Sequence, residues 1–308
     1  MILSIPIKTY FYFGLLVAML CAGLSLVNKG GFAWPSGHKL SEQAVAVLSS
    51  RAEQTTTTKK SFVNLNVPFI PEVADGRWLP PWSNACEEAS IIMVEQFYLG
   101  VAPRNRTEEQ NLMLPLFDWE VKEFGSHSDT DAARTARIIN EFSSFEATVV
   151  TEPNLEVIKA ELAAGRPVFS FHYGYGLNNP LLRFRRGGSS YHVSVLVGYD
   201  EAKKEFLMND TGQPKGLDWR YTYATILSTL HDFDHKRHAA DGPPVVLFTR
   251  PKQLVRAPGS GRIYLVQDGA KRRVLSPAVF KKYRISWAAV KTISPEELTA
   301  LPDGEVFK

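Results

Sequence analysis

The chain has 308 residues and a formal net charge of +3, with 44% hydrophobic and 22% charged residues. This composition is typical of a globular protein with room for one well-buried domain and a smaller one. No segment rich in lysine and arginine with interleaved aromatic residues occurs, so charge and composition argue against a nucleic-acid partner.

Residues 1–30 differ from the rest of the chain. After Lys8, the segment Tyr10–Val27 is uncharged and mostly apolar, and its length is close to the roughly 20 residues that cross a bilayer as a helix. A cleaved signal peptide starts in the same way, but no clear Ala-x-Ala cleavage site follows. We therefore predict a signal anchor that tethers the chain to the cell membrane as a single-pass protein, with its body outside the cytoplasm; secretion after cleavage is the alternative.

Residues 31–60 are predicted to form a flexible stalk. They start at Gly31, and the tract Gln54–Lys60 is entirely polar. Such a composition buries too little apolar surface to fold alone.

The first long element of the body is a helix predicted to begin at Ala85 and to end at Gly100. Ser83 or Asn84 is expected to cap its start, and the two glutamates after Cys86 suit the positive end of the helix dipole. The apolar stripe of this helix consists of Ala85, Ala89, Ile92, Met93 and Phe97.

The remaining pattern predicts an α+β fold, because a helix-rich half precedes a strand-rich half. A change at Arg250-Pro251 predicts a boundary between a domain at 61–249 and a small β-rich module at 250–308, in which Arg262–Leu275 is a hairpin. The predicted helices are Thr107–Leu114, Asp129–Phe142, Leu155–Ala164 and Ser276–Tyr283, and the predicted strands are Phe62–Ile70, Phe145–Val150, Pro167–His172, Tyr191–Gly198, Phe206–Met208 and Val245–Phe248, of which the last four form one sheet.

Cys86 is the only thiol of the body, since the other cysteine, Cys21, lies in the apolar N-terminal run. At the start of a helix, unpaired N–H groups and the helix dipole favour a reactive thiolate. A small buried hydrophobic residue is the other interpretation, because free cysteines are often buried.

A base and an orienting group are available on two consecutive strands. His192 opens one strand and Asp210 ends the next, so antiparallel pairing would make the two neighbours. An imidazole oriented by a carboxylate is the usual partner of a nucleophilic thiol. Taken singly, His192 is equally explained as a solvated strand end, and Asp210 as an ordinary turn aspartate.

Three ordered segments resemble a known family: Asn84–Gly100 (NACEEASIIMVEQFYLG), Tyr191–Asp200 (YHVSVLVGYD) and Asn209–Gly212 (NDTG). They are similar to the signatures of bacteriocin-processing-like cysteine peptidases, the papain-like relatives of double-glycine leader peptidases. The resemblance covers residues 61–249. It implies a papain-like fold in which the nucleophile helix packs on an antiparallel sheet.

The resemblance also implies roles for three residues: Cys86 as nucleophile, His192 as general base and acid, and Asp210 as the orienting carboxylate. Relatives often carry a glutamine before the cysteine, whose amide helps to hold the oxyanion, but Arg77–Asn84 contains none. The side chain of Asn84 and the backbone N–H of Cys86 are the candidate oxyanion donors, with Trp82 as a possible substitute.

The expected activity is hydrolysis of peptide bonds without a cofactor, in peptide or protein substrates with a small residue on the acyl side of the cut, or in cell-wall peptides. Trp78–Trp82 and Tyr173–Tyr175 either line the cleft or serve the structure. The alternatives are a catalytically weak or inactive peptidase-like binding module, and a cell-surface interaction protein that uses its C-terminal module.

Two charged segments are assigned to solvent. The histidines of His231–His238 lie among charged residues and are predicted to form a solvated loop instead of a metal site. Arg183–Arg186 is predicted to be a solvated basic loop, with binding of an acidic substrate group as the alternative.

Overall fold

The structure is a computed structural model that describes residues 60–73, 78–182, 184, 190–267, 269–282, 287 and 290–307. The predicted signal anchor and nearly all of the predicted stalk lie outside the described residues. Within the described ranges, no helix combines the length and the hydrophobicity needed to cross a bilayer.

The predicted helices and strands occur in the predicted order, together with several short elements that were not predicted. The helices are α1 (Cys86–Leu99), α2 (Arg106–Phe124), α3 (Ala132–Phe142), α4 (Leu155–Ala163), α5 (Tyr223–Thr229), α6 (Pro277–Lys282) and α7 (Pro295–Ala300). The strands are β1 (Phe62–Asn64), β2 (Phe145–Thr151), β3 (Val168–Tyr173), β4 (Tyr191–Asp200), β5 (Glu205–Asn209), β6 (Trp219–Thr222), β7 (Phe233–Asp234), β8 (Ala239–Ala240), β9 (Val245–Pro251), β10 (Gln253–Arg256), β11 (Ile263–Gln267), β12 (Ala270–Val274) and β13 (Val290–Thr292).

A seven-stranded antiparallel sheet forms the centre of the body, in the order β2-β9-β3-β4-β5-β6, with β1 added to β4. The four strands predicted to share one sheet do so. Helices lie on both faces: Val193 and Val195 of β4 belong to the buried cluster that contains α1, whereas Leu196 belongs to the cluster of α4 and α5. Because alternate residues of β4 face the two helical layers, every residue of the strand except Asp200 is buried.

Helix α1 is the predicted nucleophile helix, and its C-terminal signal is confirmed. Gly100 takes a left-handed conformation (φ +68°), and its N–H donates to the carbonyls of Gln96 and Phe97. The N-terminal cap differs from the prediction. Ala85 occupies the cap position with no capping side chain, because Ser83 and Asn84 form a short 3₁₀ turn just before it.

Helix α2 extends ten residues beyond the predicted end at Leu114. Pro115 lies inside the helix and removes one of its backbone hydrogen bonds. Leu116, Phe117 and Glu120 are buried, so packing of the second half of the helix compensates for that lost bond.

The chain passes from the seven-stranded sheet to a four-stranded sheet at Lys252. Its ammonium donates to the carbonyl of Ser143 at 2.6 Å and to that of Asn140 at 3.0 Å, at the end of α3. The second sheet has the order β12-β11-β10-β13 and contains the predicted hairpin of β11 and β12. The boundaries at residues 30, 60 and 250 stay predictions.

Candidate active site

Cys86 is the first residue of α1 and is only 3% exposed. No side chain caps the helix start, so the backbone N–H of Cys86 has no capping acceptor. The Cys86 thiol donates a hydrogen bond to the Glu87 carboxylate, with 2.9 Å between Sγ and Oε2. The thiol borders a cavity and its S–H group is engaged by Glu87.

The electrostatic surroundings of the thiol differ from the sequence prediction of a thiolate stabilised by the helix start. Burial first, and then nearby carboxylates led by Glu87 and Glu72, raise the pKa of Cys86 well above its ordinary value. The cysteine is therefore a neutral thiol in the resting protein. A nucleophile at this position requires a base that removes the proton during attack.

Glu87 is held between the thiol and the start of α3. Its Oε1 accepts hydrogen bonds from the backbone N–H of Thr130 at 2.7 Å and from the Thr130 hydroxyl at 3.3 Å, while its Oε2 accepts a hydrogen bond from the Cys86 thiol. Burial is the main reason why its pKa lies well above the ordinary carboxyl value, and the neighbouring Glu88 raises it further. Sequence reasoning had assigned this glutamate only to the helix dipole.

His192 lies at the second position of β4 and meets Asp210 as predicted. Its Nε2 lies 2.9 Å from Oδ1 of Asp210 and 3.0 Å from Oγ of Ser194. Because a carboxylate only accepts, Nε2 carries the proton and Nδ1 is left as the basic nitrogen. A ring nitrogen of His192, Sγ of Cys86 and a carboxylate oxygen of Glu72 all lie within 4.8 Å of one another.

Asp210 is fully buried and anchored at both carboxylate oxygens. Oδ1 also accepts from the backbone N–H of Gly212 at 3.2 Å, and Oδ2 accepts from Tyr221 Oη at 2.5 Å and from Asn179 Nδ2 at 3.2 Å. Burial opposes ionisation, but His192, followed by these hydrogen bonds, lowers the pKa of Asp210 overall. The aspartate is therefore ionised and immobile, as an orienting group must be.

A cavity of about 710 Å³ opens beside the thiol and the imidazole. Trp78 borders it, as the sequence suggested, whereas Trp82 packs edge-on against Phe117 in the core with 5.6 Å between ring centroids. Tyr173 and Tyr175 contact each other and are exposed. The described lining residues are Glu72, Trp78, Leu79, Pro80, Ser83, Asn84, Cys86, Asp129, Leu182, Phe184, Tyr191, His192 and Gly212.

The family comparison matches residues 64–235 to the family described as Peptidase_C39 like family, which is more than half of the chain. The chain belongs to the C39-like peptidase family. Together with the helices and antiparallel sheets described above, this membership confirms the predicted α+β, papain-like fold.

Among solved structures, the chain is similar to a Bacillus anthracis protein described as a C39-like peptidase, at 15% identity and a TM-score of 0.39. That match covers 63% of this chain and 100% of the other. No curated protein matches the chain.

The predicted oxyanion donor of this C39-like chain, Asn84, borders the cavity, but its side-chain amide donates to Asp129 with 3.3 Å between Nδ2 and Oδ1. The backbone N–H of Cys86 has no capping side chain. Its role and that of Asn84 stay predictions, as do the catalytic roles of Cys86, His192 and Asp210.

Sequence reasoning missed three groups of the site: Glu72, Tyr221 and Asn179. Glu72 follows Pro71 in a segment without regular structure, and its backbone N–H bonds to the carbonyl of Thr211, beside Asp210. The set of Glu72, Cys86 and His192 has donor types that zinc also accepts, but an ion there would occupy the thiol, so we interpret the three as reacting groups. No local sequence pattern identifies Glu72, Tyr221 or Asn179 as site residues, because each reaches the site through a long-range contact.

A second histidine, His172, is paired with His192 across β3 and β4 but is not a substitute base. Its ring is fully buried, and burial lowers its pKa to about 3. Nδ1 of His172 bonds to the hydroxyl of Thr229 at 2.9 Å. This histidine is therefore a neutral core residue.

The histidines assigned to a solvated loop lie in and around the β7–β8 hairpin. The prediction holds for the exposed turn at residues 236–238 and fails for the strands on either side of it. Phe233 of this hairpin is buried in the core, and its ring contacts that of His235. His235 pairs with Asp131 at 3.1 Å, and His231 Nδ1 lies 3.0 Å from the carbonyl oxygen of Gly242. In the predicted basic loop, Arg183, Arg185 and Arg186 lie outside the described residues.

Proposed function

We propose that this member of the C39-like family is a thiol peptidase in which Cys86, His192 and Asp210 form the catalytic triad. The observation that carries the proposal is the buried Asp210–His192 pair, which holds its imidazole within 4.8 Å of the thiol at the rim of a cavity. Position, hydrogen bonding and family membership support the same assignment.

The geometry supports a general-base mechanism. His192 Nδ1 removes the thiol proton while Sγ of Cys86 attacks the carbonyl carbon of the peptide bond. The imidazolium, stabilised by Asp210, then protonates the departing amine and leaves a thioester. Water activated by the same imidazole hydrolyses the thioester and regenerates the thiol.

The proposed substrate is a peptide with a small residue on the acyl side of the cut. The bulky side chains of Trp78, Phe184 and Tyr191 border the cavity, and glycine or alanine needs the least room beside them. Cell-wall peptides are the alternative substrate.

The experiment is to incubate the full chain with a diverse peptide library and to identify the cut bonds by mass spectrometry. Cys86→Ala is the control, and it should abolish cleavage while leaving the melting temperature nearly unchanged. Preference for a bulky or charged acyl-side residue would contradict the substrate proposal. Absence of cleavage would favour a peptidase-like binding module.

One observation favours that second candidate: the resting thiol is neutral and bonds to Glu87. Alkylation of Cys86 by iodoacetamide separates the two functions. If His192 acts as base, His192→Ala should slow alkylation at pH 7 by about 100-fold or more, the lower end of typical general-base effects. Equal rates in the variant and the parent would identify the site as an inert binding module.

We also propose that residues 1–30 anchor the protein in the cell membrane with the body outside. The support is the apolar segment Tyr10–Val27 and the polar stretch that follows. Protease added to intact cells should remove the body, and mature protein should retain its N-terminal segment. An N-terminus near residue 28 would show a secreted protein.

A further inference from the structure

Among the described residues of the loop before Cys86, no free side-chain amide is available to the oxyanion of the proposed peptidase reaction. No glutamine precedes Cys86 in Arg77–Asn84, and the amide of Asn84 is directed to Asp129. The backbone N–H of Cys86 supplies one donor, but oxyanion holes usually combine two. A second donor close to Sγ is therefore expected.

Glu72 is the side chain in that position. It is 5% exposed, it borders the cavity, and one of its carboxyl oxygens lies within 4.8 Å of both Sγ of Cys86 and a ring nitrogen of His192. A tetrahedral oxyanion forms about 3 Å from the attacking sulfur, so a group at this distance reaches it. The segment is held in place because the Glu72 N–H bonds to the carbonyl of Thr211.

The carboxyl group of Glu72 has no hydrogen-bond partner among the described residues. Burial, followed by the charges around it, raises its pKa well above the ordinary carboxyl value and so favours the protonated form of the group. A protonated carboxyl group donates one hydrogen bond through its O–H. The titratable groups that face it are Cys86, Glu87, Glu88, Asp129, His192 and Asp210.

From this geometry we propose that Glu72, as a neutral acid, donates the second hydrogen bond to the oxyanion in place of the glutamine amide. When Sγ attacks a carbonyl carbon, the carbonyl π electrons move to the oxygen, which becomes the oxyanion. The Glu72 O–H hydrogen-bonds to that oxygen and keeps its proton. When the leaving group departs with its bonding electrons, the electron pair on the oxyanion re-forms the carbonyl double bond. The inference deepens the proposed function and rests on it.

Two reagents isolate this role without a peptide substrate. Acylation of Cys86 by p-nitrophenyl acetate passes through an oxyanion and releases p-nitrophenolate, whereas alkylation by iodoacetamide displaces iodide and forms no oxyanion. The ratio of the acylation rate to the alkylation rate therefore reports the oxyanion hole alone. The full chain is used in mild detergent with Cys21→Ser, so that Cys86 is its only thiol.

Glu72→Ala should lower the ratio by about 100-fold, the lower end of the effect of one lost oxyanion donor. Glu72→Gln restores an amide donor and should stay within a few-fold of the parent. As pH rises and Glu72 ionises, the ratio should fall in the parent and stay constant in Glu72→Gln. Glu305→Ala, which removes an exposed carboxylate, is the matched control, and thermal melts confirm folding.

An unchanged ratio in Glu72→Ala, or an equal loss in Glu72→Gln, would overturn the inference. If the parent is acylated no faster than Cys86→Ala, the inference and the proposed function fail together. If the parent is acylated through Glu72 but cleaves no peptide, the inference stands and only the proposed peptidase activity fails.

Discussion

Two buried carboxyl groups, Glu88 of α1 and Glu120 of α2, are neighbours that can hydrogen-bond to each other only when one of them is protonated. Their relative exposures are 2% and 0%, and no described group donates a hydrogen bond to either oxygen of Glu120. Burial is the main cause of the raised pKa of each group. The pair therefore holds α1 against α2 in its protonated form.

The raised pKa values make stability depend on pH with a defined sign. Above the ordinary carboxyl pKa, the unfolded chain has lost protons that the folded chain retains, so stability falls as pH rises towards the folded pKa. Each retained proton contributes about 1.4 kcal/mol per pH unit. Between pH 5.5 and 7.5, one proton therefore changes the free energy of unfolding by about 3 kcal/mol.

Glu120→Gln removes one ionisable group, keeps the volume and supplies an amide that donates to Glu88. We expect the decrease in stability between pH 5.5 and 7.5 to shrink by about 3 kcal/mol, or by roughly 5–10 °C in melting temperature for a domain of this size. Urea unfolding and thermal melts at the two pH values measure it. Asp118→Asn changes an exposed acid of the same helix and is the control. A variant with the same pH dependence as the parent would refute the shared proton.

Three further predictions concern the site. His192→Ala should reduce turnover nearly as much as Cys86→Ala, whereas Asp210→Asn should have a smaller effect because the aspartate mainly sets the imidazole tautomer. Steady-state rates on a cleaved peptide measure both effects. Equal activity in Asp210→Asn and the parent would exclude Asp210 from the site. Tyr221→Phe removes a 2.5 Å bond that lowers the pKa of Asp210, so the acid limb of kcat/KM should move to higher pH; an unmoved limb would contradict this. Gly212→Ala places a Cβ 2.9 Å from Cε1 of His192 and should reduce turnover with little loss of stability; full activity would show that the ring can move away freely.

Local pattern is sufficient to predict the elements that carry the main site residues. The spacing of Ala89, Ile92 and Met93 predicts α1, and the apolar runs predict the strands that bring His192 to Asp210. These signals are local, because the hydrophobic periodicity of a helix is visible within a few turns and that of a strand within a few residues. The resemblance of three ordered segments then adds the roles.

The acidic character of the site could not be predicted in this way. Charged residues are normally exposed, so the pattern places Glu87, Glu88 and Glu120 on the surface, whereas the structure buries all three. Their burial depends on how α1, α2 and the start of α3 pack. The role of Tyr221 could not be predicted from the sequence either, because this residue reaches Asp210 only through the pairing of β5 with β6.

The buried acids and the triad together define the pH range in which the proposed chemistry operates. Asp210 must be ionised to orient His192, and its lowered pKa keeps it so under mildly acidic conditions. Glu72 must keep its proton, because its negative charge opposes formation of a thiolate at Cys86 and because the proposed oxyanion donor is its O–H group. The range lies between the lowered pKa of Asp210 and the raised pKa of Glu72. The loss of stability with rising pH and the loss of oxyanion binding then share one cause, the ionisation of carboxyl groups buried around the start of α1.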